Sequence, residues 1–562
     1  MQSGTPSKEP MNRDRPTPSS LAAASPSLTQ GLILLSVLIS GVPLYSAHAQ
    51  SIVTNGDVNP TVPSPPPSIW NIGGRLYVGQ TGTGTLSIAD GSIVNISNGY
   101  VGQAFGSYGV AAVSGTGSAW NAAGSFYIGH YGTGTLSVTE GGLVSSRDGN
   151  IGDNAQSIGT ATVAGAGSAW TNTRNAYVGT SGIGTVFIED GGTVSSSYGY
   201  VGLDTSGNGD VTVTGAGSSW KNSADITIGD GGTGVLRILN GGTVSSTSAY
   251  VGNFFGSNGS VMLSDAGSAW SNSDSLTLGN GGTGTLTLAE GAQVSVRSGL
   301  GSIVLGAFTG SSGTLSLGAA PNSPGDATGA GELDVLKLEL GDGAGTLNFN
   351  HTDNDYGLNA ALISTGAGTH ALNQLAGITR LNADNSSFNG TTTVTGGTLI
   401  IANQLGGSAS VTGGRLQVDG SFAGPVVIEQ TGTLAGVGTI SGHAAFANGG
   451  VLVGTQGQTL KFGHDLALTN ATQVNVALGG SATPALFNVA GALTLDGTLN
   501  VSSQGGFGLG VYRLFDYQGT LTDNGMTIGS TPSGVANTDL LLQSGGGQVN
   551  LTYTGGATLN FW

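Results

Sequence analysis

Residues 117–138 read GSAWNAAGSFYIGHYGTGTLSV, and residues 167–188 read GSAWTNTRNAYVGTSGIGTVFI. The two stretches are one phrase set 50 residues apart. Five tryptophans keep the same step: Trp70, Trp120, Trp170, Trp220 and Trp270. Seven residues after each comes Tyr77, Tyr127, Tyr177, Thr227 or Thr277, and nine after comes a glycine, from Gly79 to Gly279. Val94, Val144, Val194, Val244 and Val294 stand at plus 24. A fixed period without insertions means that every unit stacks on the last in the same way, which is a solenoid rather than a globule.

The unit is itself double. Tyr77-Val78-Gly79 returns as Tyr100-Val101-Gly102 and again as Tyr127-Ile128-Gly129, so the physical repeat is about 25 residues. Its short apolar runs alternate with period two, as in Gly134-Thr135-Leu136-Ser137-Val138, and period two is a strand signal. Glycine makes up 104 of 562 residues, and the runs use Val, Ile, Thr and Tyr, so helix has little support. The expected fold is all-β: a parallel β-helix of about 25-residue coils in 50-residue double units, with Val, Leu, Ile and Trp inside. Buried tryptophans fill a core. Exposed ones would form a stacking row for sugars. The small neighbours in Gly117-Ser118-Ala119-Trp120 favour the core. Some twenty coils at roughly 4.8 Å would give a rod of about 100 Å.

Charged residues are 8 % of the chain, and the net charge is −17. A sparse acidic surface excludes nucleic acid and anionic lipid as partners. Cysteine is absent, so no disulfide staples the fold. At the N-terminus, Lys8, Arg13 and Arg15 precede the apolar run Gly31–Val42, and Ala47-His48-Ala49 offers a cleavage site before Gln50. These are the three parts of a secretory signal, and the apolar run is too short to span a bilayer. Translation could start at Met1 or Met11. Residues 1–49 are therefore expected as a signal peptide with a long leader. Residues 50–67, ending in the PTVPSPPP of Pro60–Pro67, are expected as a stiff spacer.

Regular repeats are expected over 68–306. The fifth unit loses its phrase at Gly301-Ser302-Ile303-Val304-Leu305-Gly306, and 307–330, rich in Gly, Ala, Ser and Pro, is expected as a loop or broken coil. From Gly331 a looser Gly-x-Leu-x-Val/Ile pattern runs on, as in Gly414-Arg415-Leu416-Gln417-Val418. Irregular coils are expected over 331–562, with 540–562 as one more of them.

Two later stretches carry a resemblance: Phe388-Asn389-Gly390-Thr391-Thr392-Thr393-Val394-Thr395-Gly396-Gly397-Thr398-Leu399-Ile400-Ile401, and Phe487 to Leu499 followed by Gly510-Val511-Tyr512-Arg513-Leu514-Phe515-Asp516. With the export signal and the Trp-anchored units, the chain resembles the passenger region of a Gram-negative autotransporter, the type V secretion class, with its passenger-associated strand repeats. The resemblance implies a β-barrel that sits in the outer membrane and carries the passenger out. No barrel pattern stands in this sequence, whose alternation before Phe561-Trp562 is not lipid-facing, so the chain is expected to stop inside or just after a passenger.

Catalytic motifs are missing: there is no H-E-x-x-H, Walker A or G-x-S-x-G. Gly229–Gly234 and Gly279–Gly284 match G-x-G-x-x-G, but each leads into a strand pattern, so no helix N-terminus awaits a phosphate. Val235 stands where a calcium β-roll needs Asp. One polar cluster, Asn350-His351-Thr352-Asp353-Asn354-Asp355-Tyr356, would place His351, Asp353 and Asp355 on one strand face as a candidate metal or acid–base set. A solvated turn is the preferred reading, because no further ligands lie nearby. His130, His370, His443 and His464 are expected as scattered surface or turn residues. No catalytic residue, cofactor or metal is expected.

The expected function is an exported surface rod, adhesin-like, that meets glycans or proteins of a host or neighbouring cell. The alternative is a polysaccharide lyase or hydrolase on the same fold. Such a site needs clustered Asp, Arg and Lys, and only 11 basic residues are spread over the 513 positions after residue 49.

Overall fold

The computed structural model describes residues 52–556, apart from 322–326, 448 and 482–483. The expected signal segment, with its cleavage site at Ala47, Ala49 and Gln50, and residues 557–562 lie outside the described residues.

Three strands make one coil. Thr133–Thr139, Leu143–Ser146 and Asp148–Ile151 form one; Ile158–Ala164, Ala169–Asn172 and Asn175–Val178 form the next. All pair in parallel, and Thr133 meets Ile158, which meets Ile183, a 25-residue step. In these coils the longest strand joins a 20-stranded sheet, and the two shorter ones share a sheet of 22 strands. The fold is thus the expected all-β solenoid. Along Ile183–Glu189 every second residue is buried, so Gly184, Val186 and Ile188 point inward.

The turns explain the glycine at plus nine. Gly129 has φ +71°, and a Cβ there would lie 2.2 Å from the Ile158 carbonyl oxygen of the next coil. Only glycine allows both the backbone conformation and the close rung-to-rung approach.

All five tryptophans are buried: Trp70 is 6 % exposed and the other four 1 % or less. They share one column with the valines. Trp120 pairs with Val144, Val144 with Trp170, Trp170 with Val194, and Val194 with Trp220. An indole is too bulky to repeat on every rung, so large and small side chains alternate, and the sequence period doubles to 50. A second column compensates. Gly149 and Gly199 sit where a Cβ would come within 2.8 and 2.7 Å of Cζ2 of Trp170 and Trp220. Each ring therefore fills the space that a missing side chain leaves on the preceding coil.

Four segments differ from expectation. Within 307–330, Ser312–Gly318 is a regular strand, paired with Thr283–Leu288 and Ala344–Asn350, and the excursion begins only after it. The Gly301–Gly306 stretch loses the sequence phrase but keeps the rung, since Ile303 to Leu305 pair with Leu276 to Leu278. The expected spacer over 50–67 begins as structure: Ile52–Gly56 runs antiparallel to Thr83–Ile88, and Val58–Asn59 lies antiparallel on Tyr77 and Val78. Asp57 locks this segment down, its Oδ2 accepting from the backbone N–H groups of Thr81 (2.6 Å) and Gly82 (2.7 Å). Residues 540–553 do not form another coil. Leu540–Gly545 and Gln548–Tyr553 make an antiparallel hairpin, whose second strand covers Gly510–Tyr517. A parallel ladder exposes unpaired backbone at its first and last rungs, and antiparallel covers satisfy those groups.

Past Tyr356 the coils change size. Thr391 pairs with Ser408, 17 residues on, and Val426 with Ala444, 18 on, before Leu466 reaches Leu493 at 27. Two nine-stranded sheets replace the shared one there.

Candidate functional site

The structure does not bring His351, Asp353 and Asp355 together on one face. Strand Ala344–Asn350 ends just before them, so the alternation does not continue. His351 is fully buried, not part of a solvated turn, and its Nε2 lies 2.8 Å from Thr379 Oγ1. Its Nδ1 is 3.9 Å from Asp353 Oδ2, beyond hydrogen-bond reach, and has no partner among the described residues. Asp353 Oδ2 instead accepts from the Ala330 N–H at 3.1 Å. Asp355 points outward to Arg380, 3.7 Å away. Burial holds the His351 imidazole below its ordinary value, so it sits neutral in the core. Among the described residues, no group of three His, Asp or Glu is placed to hold a metal ion.

His370 is likewise buried rather than on the surface, with Nε2 2.9 Å from the Gly341 carbonyl oxygen. His443 and His464 are not scattered singles: their rings meet at 4.9 Å. His130 pairs with Asp153 at 2.8 Å.

The feature that sequence reasoning left unread is an outward column of tyrosines. The Tyr-Val-Gly phrase sets its residues on one face, and the registers align Tyr77 with Tyr100, Tyr100 with Tyr127, Tyr127 with Asn150, and Asn150 with Tyr177. The column continues through Tyr200, Thr227, Tyr250 and Thr277. Tyr77 and Tyr100 stack at 5.0 Å, Tyr100 and Tyr127 at 4.8 Å, and Tyr177 and Tyr200 at 5.3 Å. Rings on successive rungs are held apart by the strand spacing itself, close to an ideal stacking distance. The Arg75 guanidinium lies 5.9 Å over the Tyr100 ring, and His130 packs edgewise on Tyr100 and Tyr131.

Burial pushes the phenols of Tyr127 and Tyr200 upward, with smaller upward contributions from nearby carboxylates. These two phenols are therefore protonated at neutral pH. Beside it, exposed Phe105, Phe255 and Phe308 stand on turns between rungs. Another face carries an open groove of hydroxyls and amides, including Thr173, Ser195 and Ser197, with Lys221 as its one cation. These surfaces can stack, donate hydrogen bonds and bury apolar groups.

No known protein-family profile matches the chain. It is 32 % identical over 246 residues to the Adhesin BmaC autotransporter of Brucella suis biovar 1 (strain 1330), covering 42 % of this chain and 6 % of that protein. It is 34 % identical over 121 residues to the Extracellular serine protease of Serratia marcescens, covering 21 % of this chain and 12 % of that protein. Among solved structures, a TibC-catalyzed hyper-glycosylated TibA fragment aligns over 81 % of this chain and all of the fragment, at 14 % identity and a TM-score of 0.19. The chain thus spans a small part of the curated relatives it matches. Over about two-fifths of its length it is similar to an autotransporter adhesin, and the autotransporter resemblance read from its residues is borne out.

Proposed function

We propose that this chain is an adhesin-like surface passenger, exported through the signal segment that ends at Ala49 and displayed as a solenoid that attaches cells to surfaces or to one another. The observation that carries this reading is the 246-residue match to an autotransporter adhesin. The outward faces support it. They repeat stacked phenols, amides and hydroxyls over many rungs, which suits contact with an extended partner such as a cell-surface glycan or protein. A non-catalytic role is part of the proposal, and so are the partners.

Beads coated with the purified full chain should adhere to cultured epithelial or bacterial cells, and albumin-coated beads should not. Equal adhesion of both would end the attachment reading. Incubation with acidic and neutral polysaccharides should release no new reducing ends, and incubation with casein no peptides. Release of either would replace the non-catalytic role with an enzymatic one.

A further inference from the structure

The tyrosine column is interrupted twice between tyrosines. Asn150 stands between Tyr127 and Tyr177, and Thr227 between Tyr200 and Tyr250. Each interruption leaves a gap in which the flanking tyrosines stand two rungs apart, about 9.6 Å along the stack at twice the strand spacing. Both gaps carry the same pair of carboxylates. Asp148 and Asp225 stand two residues before the short residue, and Asp153 and Asp230 stand three residues after it. No other rung of the column, from Tyr77 to Thr277, has an Asp at both places.

The two gaps differ in charge. In the first, Arg147 Nε lies 2.8 Å from Asp148, so the protein supplies its own cation, and His130 Nδ1 lies 2.8 Å from Asp153. In the second, the partners are neutral. The Ser248 N–H donates to Asp225 at 3.1 Å, and the Asn253 amide donates to one oxygen of Asp230 at 2.6 Å. Asp230 is only 8 % exposed and has no salt bridge among the described residues. Burial pushes its carboxyl upward, the mark of a buried negative charge lacking a cation. The floor of this gap is polar. Thr227 is 5 % exposed and faces outward with the tyrosines, and its hydroxyl has no hydrogen-bond partner among the described residues.

We infer that the gap walled by Tyr200 and Tyr250, floored by Thr227 and rimmed by Asp225 and Asp230 binds an organic cation of the quaternary ammonium type. A cation at its middle lies about 4.8 Å from each wall, inside the ~6 Å range of cation–π attraction. A planar ring sandwiched at carbon contact distance needs only about 7–8 Å, so it fills the gap less well than a bulky alkylammonium head. The uncompensated carboxylates select for charge over a neutral sugar. The site names a partner class for the attachment reading above and rests on that reading for its role, though not for its chemistry.

Titrating the full chain with choline chloride by calorimetry should give saturable binding. The neutral analogue of choline, with carbon in place of nitrogen, should not bind. Tyr250→Ala and Asp225→Asn should each weaken binding by about tenfold or more, while Tyr77→Ala leaves it unchanged. Circular dichroism checks that each variant is folded. Absence of choline binding, equal binding of the neutral analogue, or binding indifferent to Asp225→Asn and Tyr250→Ala would each overturn the assignment. Co-sedimentation with phosphatidylcholine vesicles, against phosphatidylglycerol vesicles as control, identifies a lipid headgroup as the source. Choline binding without co-sedimentation identifies a soluble or protein-borne cation. Bead adhesion without choline binding would remove this site alone, and choline binding without bead adhesion would remove the attachment reading alone.

Discussion

At the scale of single residues, the core depends on pairs that fit across rungs. Trp170 donates its Nε1–H to Ser146 Oγ at 3.2 Å, and Trp220 to Ser196 Oγ at 3.3 Å. For Trp120 the equivalent place is held by Ile96, and its buried Nε1–H has no partner among the described residues. Trp170→Ala would leave a large cavity and should cost about 3–5 kcal/mol in urea unfolding. Gly199→Val would press branched carbons against the Trp220 ring and should cost about 1–3 kcal/mol. A cost within error for either variant would mean that the columns are looser than described. His351 gives a pH dependence with a definite sign. Its folded pKa lies below its unfolded value near 6.5, so below that pH the unfolded chain binds the extra proton. Its contribution is fully present above about pH 6.5 and is lost as pH falls toward the depressed folded value. The difference in melting temperature between pH 7 and pH 5 should shrink in His351→Leu, and an unchanged difference would sink this account. The tryptophan column was legible because burial imposes a period. The buried state of His351 was not, because past a strand end alternation no longer says which way a side chain points.

At the scale of elements, parallel strands and glycine turns follow from the repeats, but the end covers do not. Ile52–Gly56 and the hairpin from Leu540 to Tyr553 occur once each, and an element without a repeat leaves no period to read. The antiparallel pairing at Thr83–Ile88 protects a ladder edge that would otherwise take up another chain. Removing residues 1–60 should therefore produce concentration-dependent self-association in analytical ultracentrifugation, whereas the full chain stays at one sedimentation value. A truncated chain that is monodisperse at every concentration would show that the cover has no such role. The tyrosine column was half legible. Its phrase is plain, but the spacing alternates between 23 and 27 residues, and only the rung registers reveal that Tyr77, Tyr100 and Tyr127 stand side by side.

At the scale of the whole molecule, each rung touches only its neighbours, so stability is local and additive along the stack. Deleting residues 158–207 removes two coils and brings Val144 against Val194's successor, Trp220, which restores the alternation. Deleting 133–157 removes one coil and sets Trp120 against Trp170. The first deletion should unfold cooperatively at nearly the full-length denaturant midpoint, and the second at a clearly lower one. Equal midpoints would show that the alternation is incidental to packing. Beyond Tyr356 the turns no longer keep one length, and that half of the molecule was readable as strand and turn but not as coil size.

The bulky-and-slight alternation also limits how such a chain can change over generations. A tandem copy of a single rung is born with a packing fault, whereas a copy of a pair is born whole. Growth and shrinkage in this part of the molecule are thereby confined to even numbers of rungs.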